Sequence, residues 1–151
     1  MLAQDDDKSI FEYHISPYIQ AGILLAAIFI FIVGGKLLDL MGLITVDGGT
    51  PWLISASFTL FYVIFNSVFS LGSDNQVKYY SQSITSYLAL AFLGGGLAYL
   101  MSGISMDEAG SYRWLYIVFT IGYIIFLAIV STMKRLVRIA QKQDKRIHRK
   151  K

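Results

Sequence analysis

The sequence predicts an all-α fold: an integral membrane four-helix bundle, with four transmembrane helices and a cytoplasmic, helical, basic C-terminal extension. Three observations predict it. Apolar residues make up 55% of the 151 positions and fall in four long blocks rather than in alternation. The blocks are separated by short connectors rich in turn formers. Nine of the 13 Lys and Arg residues lie from Lys134 onward. The chain has the length of one domain, read here as an N-terminal tail over 1–16, four spans within 17–133, and a basic tail over 134–151.

A bilayer core about 30 Å thick needs about 20 apolar residues in a helix. The first segment that qualifies runs over about 18–41. It is preceded by Ser16-Pro17, a capping residue followed by a proline suited to the first turn. The second runs over about 51–71, and Thr50-Pro51 repeats that start signal. The third covers about 83–103 and the fourth about 112–133. Asp47-Gly48-Gly49, Gly72-Ser73-Asp74-Asn75 and Met106-Asp107-Glu108-Ala109-Gly110 mark the turns between them. Connectors this short make consecutive helices antiparallel neighbours. The acidic Asp5-Asp6-Asp7 and the length of the first block argue against a cleaved signal peptide. The two halves do not align in Gly, Pro or charge, so the sequence carries no sign of an inverted repeat.

Charge sets the expected orientation. Basic residues concentrate on the cytoplasmic side, so the tail points inward, and four crossings bring the N-terminus to the same side. The expected location is a multi-pass position in a bacterial inner (plasma) membrane with both termini cytoplasmic. Aromatic residues at span ends, among them Tyr13, Tyr18, Trp52, Tyr79, Tyr80, Tyr112 and Trp114, fit interfacial belts. Tyr62, Tyr87, Tyr99, Tyr116 and Tyr123 lie deeper, where a phenol needs a partner and therefore an inward orientation.

The polar residues within the spans are the candidate functional ones. At 100° per residue, Ser55, Thr59, Tyr62, Asn66, Ser70 and Ser73 fall in a sector about 80° wide on the second span. Such a face turns away from lipid, toward another helix, a ligand or a partner subunit. Tyr116 and Tyr123 on the fourth span, with Tyr112 on the same face and Thr120 beside it, are the expected counterpart. Lys36 falls at interfacial depth, where a lysine reaches water, and Asp39 is spaced to pair with it. Gly22 with Ala26, Ala91 with Gly95, and Gly94 with Ala98 carry the small-residue spacing of close helix contacts. Gly94-Gly95-Gly96 in succession also raises the prospect of a bend.

Catalytic signals are missing from the residue pattern. Without cysteine there is no thiol chemistry, and the two histidines, His14 and His148, both lie outside the spans. The span centres contain no Asp, Glu, Lys, Arg or His, which disfavours a proton-coupled pump. No phosphate loop, zinc motif or nucleophile elbow occurs, and no cofactor or metal is expected.

The tails carry opposite charge. Lys134, Arg135, Arg138, Lys142 and Arg146 belong to a segment in which Met133, Leu136, Val137, Ala140, Asp144 and Ile147 recur every three to four residues. The fourth span is therefore expected to continue as an amphipathic helix, drawn to anionic lipid headgroups or to an acidic partner surface. Nucleic acid is not an expected partner, since no aromatic residues are interleaved with the charges. Ser9 and Glu12 have capping-box spacing for a short interfacial helix before the first span.

The leading expectation is a non-catalytic membrane subunit that assembles with other membrane protein subunits in the lipid bilayer; a homo-oligomer is a further possibility. The alternatives are a small oligomeric transporter or channel, and a lipid- or quinone-binding membrane protein, each using the polar face of the second span.

Overall fold

The computed structural model describes residues 15–73 and 76–148. Expectations for Asp5-Asp6-Asp7, Ser9, Glu12, Tyr13, His14, Asp74, Asn75 and the last three basic residues fall outside that range. The fold is all-helical: α1 (Pro17–Leu40), α2 (Thr50–Ser70), α3 (Gln76–Ser102) and α4 (Ser111–His148). Each of the four is long and apolar enough to cross a membrane.

Local chemistry explains most of the boundaries. Ser16 caps α1 through its hydroxyl, which accepts from the Ile19 amide, and Pro17 fills the first turn. Thr50 does not repeat that role. Gly49 is the N-cap of α2 and supplies no side-chain bond, while the Thr50 amide donates to Asp47 O at 2.9 Å.

The third helix is where expectation and structure differ most. It begins at Gln76, about two turns before the expected start at Ser83. The polar stretch ahead of the apolar block is helical because Tyr79 and Ser83 extend its buried face, which continues through Ser86, Tyr87, Leu90 and Ala98. The three consecutive glycines do not interrupt the helix. The fourth helix continues beyond Met133 as far as His148, so Lys134, Arg135, Arg138, Lys142 and Arg146 are all helical.

The packing is uneven. α1, α2 and α3 pack mutually, whereas α4 lies mainly against α2 and meets α3 at few points. One end of the bundle gathers the start of α1, the end of α2 and the start of α3. The other gathers the α1–α2 and α3–α4 connectors. A core of Ala21, Ile28, Ile32, Tyr62, Tyr87, Leu90, Tyr123 and Leu127 runs through the centre. A smaller cluster of Trp52, Ala56, Ala98 and Tyr116 sits toward the connector end. Gly94 shows how tightly α3 meets its neighbours. A Cβ there would lie 2.7 Å from Ser55 Oγ and 3.2 Å from Ile28 Cδ1. Gly22 and Ala26, by contrast, face outward, so their spacing makes no contact within the chain.

Candidate functional site

The polar face of α2 points into the bundle along its whole length. Ser55, Thr59, Tyr62 and Asn66 are 0% exposed, and Ser70 and Ser73 are buried. Some of its demand is met locally: Thr59 donates to Ser55 O, and Ser70 to Ser67 O. The remaining bonds cross between helices. Ser55 Oγ and Tyr116 OH lie 2.6 Å apart, and Tyr62 donates to Ser83 O at 3.0 Å.

Asn66 is the point at which all four helices meet. Its amide nitrogen donates to Gln20 Oε1 on α1 and to Tyr79 OH on α3, each at 3.3 Å. Its amide oxygen accepts from Tyr123 OH on α4 at 2.6 Å. An Asn amide has two donors and one carbonyl, and here both donors and the carbonyl find partners. Gln20 is itself held by a 2.8 Å bond to Ile15 O. The rings of Tyr62, Tyr87 and Tyr123 pack beside this junction with centroids 5.0–6.4 Å apart, within the range of favourable aromatic pairs. Gln20 and Tyr79 were not expected at this junction. Tyr79 carried a legible signal, since it falls four, seven and eight residues before the inward Ser83, Ser86 and Tyr87, one face of a helix. Ser83 Oγ and Ser86 Oγ are buried on the same face and make no hydrogen bond.

Lys134 closes this end of the molecule. Its ammonium reaches from α4 to Ser70 O and Ser73 O, the latter at 2.9 Å, so it caps the carbonyl end of α2 with charge of the favourable sign. Lys134 therefore ties two helices together. Arg135, Lys142 and Arg146 are exposed, as is Arg138, which has interactions of its own.

The opposite end is organised by loop polarity. The Trp52 indole is buried at the start of α2, donates to Ile104 O at 3.2 Å and holds the α3–α4 connector over that end. Ser105 and Glu108 satisfy each other: the carboxylate accepts from the Ser105 amide and hydroxyl at 3.0 and 3.1 Å. Those bonds hold Glu108 below the usual carboxylate range. Asp107 pairs with Arg113 at 2.6 Å. The expected Lys36–Asp39 pair does not form. Asp39 instead accepts from the Val46 amide at 3.3 Å, which pulls the α1–α2 connector back over the end of α1, and Lys36 is exposed. Tyr99 likewise departs from expectation, with half of its surface exposed.

Where α4 stands away from α3, a groove of about 740 Å³ opens between them. Trp52, Tyr87 and Tyr116 lie at its base, Gly95 and Gly96 on α3 keep it wide, and Arg113 stands at the connector end. Tyr87 OH and Thr120 Oγ1, 2.8 Å apart, bridge the two helices beneath it. Among the described residues no three His, Asp or Glu side chains gather as metal ligands would. No protein-family model, curated protein or solved structure matches this chain.

Proposed function

We propose that this chain is a non-catalytic subunit of a membrane complex, inserted through α1–α4 with both termini in the cytoplasm, and that the projecting end of α4 docks an acidic partner. The observation that carries the proposal is the length of α4. Its 38 residues form one unbroken helix of about 57 Å, nearly twice a bilayer core. Lys134 marks the end that belongs to the bundle. Beyond it Leu136, Val137 and Ile147 are more than half exposed, alongside Arg135, Lys142, Lys145 and Arg146.

Distance separates the leaflet from a partner as the target of these charges. Lys142 and Arg146 lie eight and twelve residues past Lys134, or about 12 and 18 Å along the axis. The headgroup layer adds about 6 Å beyond the hydrocarbon edge. The screening length at physiological ionic strength is about 8 Å, so a straight helix carries Arg146 beyond one screening length of the headgroups and Lys142 close to that limit. Arg135 stays within reach of the leaflet. The distal cations and the apolar strip between them suit an acidic surface with apolar contacts of its own.

The transport reading has less support. Ser55, Thr59, Asn66 and Ser70 are closed off and hydrogen-bonded within the bundle, and none of them lines the groove.

The test is native mass spectrometry of the gently solubilised full chain. We expect a second polypeptide that leaves when Arg135, Lys142, Lys145 and Arg146 are all changed to Gln, and that also leaves in high salt. Recovery only as copies of this chain, together with solute flux in liposomes, would overturn the proposal. Orientation has a clean readout, because the chain contains no cysteine. Thr45→Cys, at an exposed position of the α1–α2 connector, should react with an impermeant thiol reagent added from outside the cell.

A further inference from the structure

The side of the bundle between α3 and α4 carries a cavity of ligand size, and its chemistry is selective. We propose that this groove binds one glycerophospholipid, with an acyl chain lying between α3 and α4 and the phosphate on Arg113. The inference rests on the membrane insertion proposed above, and it is independent of the docking role of the tail.

The first support is length. The lining residues run from Tyr87 to Tyr99 on α3 and from Arg113 to Ile121 on α4. Those stretches rise about 18 and 12 Å, close to half of a 30 Å hydrocarbon core. A partner's transmembrane helix would need a seam along the full thickness. A lipid chain from one leaflet needs only half.

The second support is the way the groove's hydroxyls are used. Tyr116 OH is held by Ser55 Oγ, and Tyr87 OH by Thr120 Oγ1. The groove is thereby left with ring faces and aliphatic walls such as Leu88, Phe92 and Ile117. A quinone or polar solute, whose carbonyls or hydroxyls demand partners, finds few there. A hydrocarbon chain needs none. The volume of about 740 Å³ lies within the range of small-molecule sites, about 300–1,000 Å³.

The third support is the charge at the connector end. Arg113 lies two residues into α4, where the helix emerges from the apolar block. Asp107 engages its NH1 nitrogen, which leaves the rest of the guanidinium fork for a phosphate. The site therefore presents a cation at headgroup depth above an apolar slot one leaflet deep.

Two glycines make a controlled test possible. Gly96 lines the groove, and a Cβ added there would meet nothing of the protein within 4 Å. Gly122 is equally open but does not line the groove. The full chain is delipidated in detergent, then offered palmitoyl-oleoyl phosphatidylglycerol or phosphatidylethanolamine, and lipid retention is read by native mass spectrometry. Wild type should hold one molecule of either lipid. Gly96→Phe should lower retention roughly tenfold or more, and Gly122→Phe should match wild type. Arg113→Gln should also cost roughly tenfold, the scale of a lost charge-assisted hydrogen bond. Diacylglycerol, which has the chains without the phosphate, should bind about as weakly to wild type as phospholipid does to Arg113→Gln.

Circular dichroism melts establish that each variant is folded before it is scored. Full retention in folded Gly96→Phe, equal losses in Gly96→Phe and Gly122→Phe, or no retention by wild type would each overturn the proposal. So would equal binding of diacylglycerol, or a dimer of this chain that excludes lipid. None of those results touches the salt-sensitive partner on the tail. Failure of Thr45→Cys to label from outside would instead strike the insertion topology on which both readings depend.

Discussion

The two ends of the bundle solve the same packing problem in different ways. At the Asn66 end, an amide bonds to Gln20, Tyr79 and Tyr123, so each of the other three helices is tied to α2 at one residue. The Lys134 ammonium then closes the end of α2 from α4. At the Trp52 end, α4 is held by the Ser55–Tyr116 bond and the Tyr87–Thr120 bridge, and the α3–α4 groove lies open beside them. Between helices in lipid the hydrophobic effect supplies little net drive, so dispersion and hydrogen bonds decide how closely they pack. The Asn66 end has more of the interhelical hydrogen bonds. The difference teaches that α4 is fastened at one end and only bridged at the other, which is how a four-helix chain keeps a cavity without losing its fold.

The comparison can be broken most directly at Asn66. Asn66→Leu leaves Tyr123 OH and Gln20 Oε1 without their amide partner in a buried setting, and Tyr79 OH keeps only its bond to the residue 66 carbonyl. A loss of about 3 kcal/mol is expected, read from unfolding in mixed micelles. A loss under about 1 kcal/mol would show that the two ends are equally tight.

The glycines sharpen the contrast within one helix. Gly94→Ala drives a methyl group against Ser55 Oγ and Ile28, and about 2 kcal/mol of stability should be lost. Gly96→Ala, two residues on and open, should gain up to about 1 kcal/mol from helix propensity alone. The same thermal unfolding series measures both, and equal signs would refute the distinction. Lys134→Met removes the cap on α2 while keeping an apolar stem. It should cost about 1 kcal/mol and speed amide exchange in the last turn of α2 before that in the first.

The smallest effect belongs to the connector. Glu108 is held below its ordinary range by Ser105, so its contribution is present above the unfolded carboxylate value and is lost as pH falls through the folded one. Wild type should melt slightly above Glu108→Gln at pH 7, and the gap should shrink as the pH falls below the ordinary carboxylate range. A gap that widens on acidification would contradict the assignment.

How much of this was legible from residue spacing follows from what each feature depends on. The inward face of α2 depends on one helix's own periodicity, so Ser55 through Ser73 were readable as a set. The number of long apolar helices, and the inward Tyr62, Tyr87, Tyr116 and Tyr123, depend on the same local rule. The early start of α3 was hidden because Gln76, Lys78 and Gln82 make that stretch look like a connector, although Tyr79 and Ser83 were in register. Lys36 and Asp39 are correctly spaced for a pair, but the backbone of the following turn competed for the carboxylate and won. The Trp52 bond was not legible, because its acceptor, Ile104 O, lies 52 residues away across the α3–α4 connector. The groove was least legible of all. It arises from the angle between α3 and α4, and no spacing within either helix encodes that angle.

The junction at Asn66 is built only from amides and phenols, groups that carry no charge at neutral pH. Moving one elementary charge through 100 mV involves about 2.3 kcal/mol, and a neutral junction presents no such charge to the field. In an energised membrane its four-helix tie would therefore hold with the same strength whether the potential is high or collapsed. An ionised Asp or Lys at the same crossing would have made the bundle's cohesion a function of voltage.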